Sequence, residues 1–397
     1  MLAGLQRDLE GLYPELVNIR RDLHMYPELS FQEVNTPQKV ADYLQNLGLE
    51  VRTGVGGRGV IGLLRGGAAQ EGARTIALRA DFDALPIQDE KEVPYKSRIP
   101  GVMHACGHDM HTAALLGAAY VVSKVKDELG GNVVFLHQFG EEKPPGGAKA
   151  MIEDGCLDGV DVIYGAHVWP ALAVGEIAVT EGYAMAAGDL FEIEIKGHGG
   201  HGAQPHLTVD PVIAGCQLAL NLQQIVSRRV NPLDPAVLTV ASIHGGQASN
   251  VIPDTCKLTG TVRCFNPEVR QLLQDQIAKI TRATCEAADA EGTVVFRQGY
   301  DALWNHPEKV RSVEEVAKRV VGEEKFKRVE PSMTGEDFSA YLQKVPGAFF
   351  FVGVGNPERD AIYPLHHPRF DGDERAMLIT ANLFLHLVWK ELQENHE

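Results

Sequence analysis

The densest chemistry in the chain lies in MHACGHDMHTAALLGAA, where His104, Cys106, His108, Asp109 and His111 fall within eight residues, directly before a helical pattern. Thiolate, imidazole and carboxylate are ligands for zinc, manganese and related divalent ions. Cys106 and His108 are two apart, a spacing that turns both side chains to one side of extended or loop backbone. A polar helix start capped by Asp109 would account for part of this pattern, but not for three histidines and a cysteine together. A second group lies in HQFGEEKPPGG. Glu141 and Glu142 follow an apolar run and precede a Pro/Gly loop, the strand end at which parallel α/β sheets keep their sites. Adjacent carboxylates on extended backbone point opposite ways, so one can bind a metal while its neighbour acts as a general base toward water. Glu-Glu is also ordinary surface composition, and only its position sets it apart.

His167 closes DVIYGAHVWP, and His366 and His367 lie in IYPLHHPRF. Asp81 and Asp83 end another apolar run, LRADFDALP, either as carboxylates that orient a ligand or as turn residues. Together these stretches offer one cysteine, several histidines and a glutamate, more than the four ligands of a structural zinc, so two metals are the economical reading. A further window, IKGHGGHGAQPHLTVDP, holds His198, His201 and His206. A histidine in this Gly-rich loop could polarise a carbonyl, or the stretch could be an ordinary flexible loop. Asn250 in HGGQASNVIPD and Arg263 in GTVRCF adjoin strands; arginine is shaped to clamp a carboxylate, and it fits a solvent-facing strand position equally well.

The elements that must position these groups alternate. A helix runs to about residue 26 and stops at Pro27, and another covers 36–47. Apolar runs at 60–64, 75–80, 132–139 and 161–168 are separated by helical stretches such as 111–129 and 146–153. Such alternation predicts an α/β domain with a largely parallel, buried sheet. From about residue 184 the order becomes strand, helix, strand, strand, helix, strand, the ferredoxin-like unit. The expected organisation is a catalytic domain in two parts, 1–183 and 299–397, with 184–298 inserted.

A length of 397 residues exceeds what a single core organises and agrees with two domains. Charged residues make up 23% and the net charge is −16, a balance that argues against nucleic acid or anionic lipid as partner. No run of about 18 apolar residues is present, so no membrane span is expected. Six scattered cysteines without a C-x-x-C pair read as reduced thiols, which points to the cytoplasm.

These windows, in this order, resemble the amidohydrolase branch of the two-metal aminoacylase and carboxypeptidase family, which holds the N-acyl-amino-acid amidohydrolases, hippurate hydrolases and auxin-conjugate hydrolases. The motifs that carry the resemblance are RRDLHMYPELSFQE, RADFDALP, MHACGHDMHTAALLGAA, the Glu-Glu loop, GGHGAQPH, NVIPD, GTVRCF, TGEDFSAYLQ and LHHPRF. The resemblance implies a two-metal α/β domain carrying an inserted ferredoxin-like domain that dimerises. By motif match it implies Cys106, His108, Glu142, His167 and His366 as metal ligands. It further implies Glu141 as general base, Asp83 as support of the metal site, His201 at the substrate carbonyl, and Asn250 and Arg263 near the substrate carboxylate. Where the wider family has a His-x-Asp ligand motif, this chain has Asp81-Phe-Asp83, and Cys106 takes the place of the missing ligand.

The expected activity is hydrolysis of N-acyl-L-amino acids, small molecules, through metal-activated water, with two divalent ions (zinc or manganese, with cobalt or nickel possible) in a homodimer or larger homo-oligomer. An N-acetyl-diaminopimelate deacetylase is the alternative within the branch. Two readings of other classes are a hydrolase with Cys106 as nucleophile and His108 or His104 as base, and a metal-dependent binding protein without catalysis.

Overall fold

The computed structural model describes residues 2–393. In chain order its principal strands are β1 (Glu50–Val55), β2 (Gly59–Leu64), β3 (Thr75–Asp81), β4 (Asn132–Gln138), β5 (Val162–Ala173), β6 (Ile177–Val179), β7 (Ala187–Lys196), β8 (Ala236–Gly245), β9 (Thr255–Cys264), β10 (Glu291–Gln298), β11 (Phe326–Arg328) and β12 (Gly347–Gly355). Its longer helices are α1 (Leu2–Met25), α2 (Asn35–Asn46), α3 (His108–Ser123), α4 (Pro211–Leu222), α5 (Pro267–Glu286), α6 (Pro307–Val321) and α7 (Arg375–Leu392). The chain divides into two compact units. One comprises the residues up to Ala184, Trp304–Glu330 and those from Asp337 onward; the other comprises Met185–Leu303 and Pro331–Glu336.

The first unit is built on a sheet of order β1-β2-β4-β3-β5-β12-β6-β11. β3 runs parallel to both β4 and β5, and β5 runs parallel to β12. The β1–β2, β2–β4 and β6–β12 pairs are antiparallel. The expected parallel sheet is therefore the centre of a mixed one. The reason is local: β1 and β2 are joined by residues 56–58 alone, and so short a link permits only a hairpin. β3 is buried along its whole length, as a central strand covered on both faces must be. α3 is apolar nearly all round and is buried along most of its length between α1, α7 and the sheet. Because β3, β4 and β5 are parallel and adjacent, their carboxyl ends open on one edge, and the chemistry-bearing loops start there.

The second unit follows the order β7-α4-β8-β9-α5-β10. Its strands form an antiparallel sheet of order β8-β9-β7-β10, the ferredoxin-like arrangement. Phe191, Ile193 and Ile195 of β7 and Leu258 and Val262 of β9 alternate inward and are buried with Leu218, Leu273 and Ile277 of the two helices.

A buried ionic cluster ties α1 to the start of α3. Arg20 and His24 lie one turn apart on α1, and both are fully buried. Arg20 donates from Nε to Asp109 Oδ2 and from Nη2 to Asp371 Oδ1, each at 2.7 Å. His24 Nδ1 lies 2.7 Å from the same Asp109 oxygen. Burial opposes the charge of Asp109, but Arg20 and His24 outweigh it and hold the carboxyl well below its usual range. Removing the cation leaves the buried carboxylates of Asp109, Asp371 and Glu374 without it, so Arg20→Met is expected to cost about 3–5 kcal/mol, read as a lower midpoint of urea unfolding.

Candidate metal centre

α3 begins at His108, immediately after Gly107 with φ +88°. A Cβ at that position would lie 2.4 Å from Val168 Cγ2, so glycine is what lets the Cys106–His108 turn close against β5. The turn brings Cys106 Sγ to 3.3 Å from His167 Nε2. His108 Nε2 lies 3.8 Å from Glu142 Oε1 and 4.0 Å from Glu141 Oε2. Glu142 Oε1 in turn lies 3.4 Å from His366 Nε2. Overlapping triplets result, among them Cys106–His108–His167, Cys106–Glu142–His366, His108–Glu141–Glu142 and Asp81–His108–His111, each with its ligand atoms within 4.8 Å of one another. The five residues singled out as ligands and the Glu141 carboxylate thus come together at one sheet edge.

Hydrogen bonds around the cluster decide which atoms face it. His108 Nδ1 lies 3.1 Å from Asp83 Oδ1. Asp83 Oδ2 accepts from the Ser30 hydroxyl at 2.7 Å and from the Glu142 N–H at 3.0 Å. With Nδ1–H given to Asp83, Nε2 is the free nitrogen of His108. That atom and Glu142 Oε1 are buried without a hydrogen-bond partner. His167 Nδ1 donates to the Val168 carbonyl at 2.6 Å, which turns its Nε2 toward Cys106. His366 adopts a left-handed conformation, φ +64°, and its N–H donates to Ala105 O at 2.8 Å, tying the LHHP loop to the Cys106 turn.

Electrostatics point the same way. Burial pushes the Cys106 thiol well above its usual pKa, and the carboxylates of Glu142, Glu141 and Asp81 push it further. Burial lowers the pKa of His108, but Asp81 and Asp83 outweigh it and raise the group to about 10. A thiol and an imidazole that hold protons so firmly among carboxylates form a site built for a cation. The donors, one thiol, three imidazoles and carboxylates, suit a borderline divalent ion, and a metal in contact with the thiol reverses its preference for the proton. The residues present therefore fit divalent metal ions.

The glutamate pair departs from the expected extended geometry. Gly140, at φ +67°, bends the chain just after β4, residues 141–142 lie in a turn, and both carboxylates approach the same nitrogen of His108. Asp81 is not a plain turn residue: it accepts from Arg79 Nη1 at 2.6 Å, and His111 Nδ1 lies 2.6 Å away. His111 Nε2 accepts the Val168 N–H at 2.9 Å, so its tautomer is set and it bridges β3 to β5 beneath His167. Arg79 also reaches Asp337 Oδ1 at 3.1 Å. His104 belongs to none of the triplets; it is buried with both ring nitrogens lacking hydrogen-bond partners, and burial lowers its pKa to about 4. Sequence reasoning passed over Arg79 and Ser30. The only local signal for Arg79 was a charged residue inside an otherwise apolar strand.

The remaining candidates belong to the second unit. His201 pairs with Val251 in a short two-stranded ladder, and Asn250 O accepts the Gly202 N–H at 2.8 Å, so His201 and Asn250 are neighbours on the exposed surface of that unit. Arg263 lies apart from them in β9, opposite Val237 and Gly188, with its guanidinium lying where a Cβ on Gly188 would fall.

Residues 77–390 match the model of the family described as Peptidase family M20/M25/M40. YhaA of Bacillus subtilis (strain 168), named as an amidohydrolase, is 48% identical over 96% of this chain and 95% of its own. The N-acetyl-L-cysteine deacetylase of the same strain is 42% identical, over 98% of this chain and 91% of its own. Among solved structures, the Bacillus subtilis YXEP protein, titled a dinuclear metal binding peptidase from the M20 family, has a TM-score of 0.84 at 34% identity, with 97% of this chain and 99% of that one covered. Likeness of sequence and fold over nearly the whole of both chains, with ligand-type side chains clustered at the sheet edge, makes this chain an amide-cleaving hydrolase that belongs to peptidase family M20/M25/M40.

Proposed function

We propose that the chain hydrolyses the amide bond of N-acyl-L-amino acids, releasing a carboxylic acid and the free amino acid. The observation that carries this reading is the convergence of Cys106, His108, Glu142, His167 and His366 on one cluster, with Glu141 beside it. In this reading the five side chains hold two divalent ions, zinc or manganese, with Asp83 fixing His108 through Nδ1. Ions bound there supply Lewis acidity to the scissile carbonyl and make water acidic enough to lose a proton near neutral pH. Glu141 takes that proton and delivers it to the departing amine. His201 is assigned to the carbonyl oxygen, and Asn250 and Arg263 to the amino acid's carboxylate; motif resemblance supports these three. An N-acetyl group is favoured among acyl groups by the deacetylase relative. Assembly as a homodimer belongs to the same reading. So does a cytoplasmic site, which the six free cysteines support. Among the described residues no helix is long and apolar enough to cross a membrane.

A thiol nucleophile is disfavoured by the same electrostatics. Burial and neighbouring carboxylates hold Cys106 protonated, the opposite of the low-pKa environment such enzymes build. Chelation with EDTA is therefore expected to abolish amine release from a panel of N-acyl amino acids, and added zinc or manganese to restore it. Metal-independent activity sensitive to iodoacetamide would instead establish the thiol mechanism.

Two more outcomes follow from the geometry. Glu141→Ala is expected to lower kcat by at least about 10²–10⁴-fold while metal content, measured by atomic emission, stays near wild type. Metal loading must displace the protons held by Cys106 and His108, both of whose pKa values are raised above neutrality. Calorimetric titrations in buffers of differing ionisation heat should show release of roughly two protons per chain, and affinity should rise with pH through the neutral range.

A further inference from the structure

The motif PELSFQE lies outside residues 77–390 and, apart from the Ser30 hydroxyl, supplies none of the groups described above, yet residues 28–33 cross the edge where the metal-centre loops begin. The Ala84 N–H donates to Glu28 O at 2.8 Å, and Leu29 bridges to Ala84 as a parallel partner. The Ser30 hydroxyl binds Asp83, as described. Phe31 is held at φ +65°, a conformation that costs energy in a bulky residue, with its ring edge-on to Phe139 at 5.6 Å and packed against Gly140. Glu33 is 1% exposed, and its Oε1 accepts the N–H of Gly140 at 3.0 Å.

We propose that Glu33 is a positioning residue for Glu141: its carboxylate holds the Gly140 N–H and so sets the turn that delivers the general base to His108. Gly140 is buried, and its N–H needs an acceptor. The residue after it is Glu141, so the direction in which Glu141 leaves β4 follows from how that peptide is held. Glu33 is itself fixed, because the Arg58 guanidinium donates to its main-chain carbonyl and lies 3.9 Å from Oε2. Phe31 closes the other side of the glycine. The contact spans 107 residues of sequence, so it acts as a strap from the N-terminal segment onto the catalytic loop.

The inference rests on Glu141 being the base, and the test separates the two claims. Wild type, Glu33→Ala, Glu33→Gln, Glu141→Gln and the Glu33→Ala/Glu141→Gln double variant are loaded with zinc and compared for kcat, KM, bound metal and thermal midpoint. Glu33→Ala is expected to lose roughly ten- to a hundredfold in kcat, with KM and metal content within about twofold of wild type. Glu33→Gln keeps an oxygen acceptor and is expected to recover most of that loss. In the Glu141→Gln background Glu33→Ala should have no further effect, because the residue acts through the base. Unchanged kcat in Glu33→Ala overturns the proposal, as does loss of metal or KM in step with kcat in both Glu33 variants. Full activity in Glu141→Gln overturns the reading of the base itself.

Discussion

Around His108 the chain gathers Asp81, Asp83, Asp109 and Glu141, all buried, and Glu142, whose side chain is 9% exposed. Desolvating a carboxylate costs several kcal/mol unless cations or donors compensate it, so so many anions in one place constrain everything packed around them. The protein compensates from two sides. Arg79, in the centre of the sheet, lies between Asp81 and Asp337; Arg20, on α1, lies between Asp109 and Asp371. Both guanidiniums are themselves buried, which is sustainable only because each has two or more acceptors. What these arginines leave unmatched, the thiol, the unpartnered His108 Nε2 and Glu142 Oε1, is a set of groups suited to divalent ions.

Topology explains why groups so far apart in the chain meet. Parallel neighbours β4 and β3 end together, Asp81 pairing with Gln138, while β5 runs alongside and beyond them, Arg79 pairing with Gly165 two residues before His167. Each loop that leaves this edge then carries one part of the site. The Glu-Glu turn follows β4, Asp83 follows β3, His167 lies within β5, and the Cys106 turn starts α3. His366 is brought in by its N–H to Ala105. This is the usual place for a site in an α/β sheet, and here the hydrogen bonds that orient the ligand-type side chains run sideways, from one loop to the next. His108, Asp83, Ser30 and Glu142 N–H form one such chain; His111, Asp81 and Arg79 form another.

The charge of −16 argues against nucleic acid as a partner but carries no information on the substrate. An N-acyl amino acid is itself an anion, so its recognition depends on local cations rather than on bulk charge.

Cys106 and His108 were legible because ligand-type residues two apart face one side of extended or loop backbone, and an apolar run before Glu141 marks a strand end. His167 and His366 were weak signals singly; the motif order, not their surroundings, marked them out. Arg20, His24 and Arg79 were not legible as parts of the site, because, apart from Asp81 two residues from Arg79, their partners lie 59 to 354 residues away in the chain. The orientation of Glu141 and Glu142 was misjudged because it depends on the bend at Gly140, which extended-strand reasoning does not contain. By itself the sequence determined which donor atoms are available and roughly where each enters the fold, since residue chemistry, spacing and hydrophobic period are local. Only the tertiary structure decided which nitrogen of each histidine faces the cluster and which buried charges balance, because both depend on contacts that exist only once the helices have packed against the sheet.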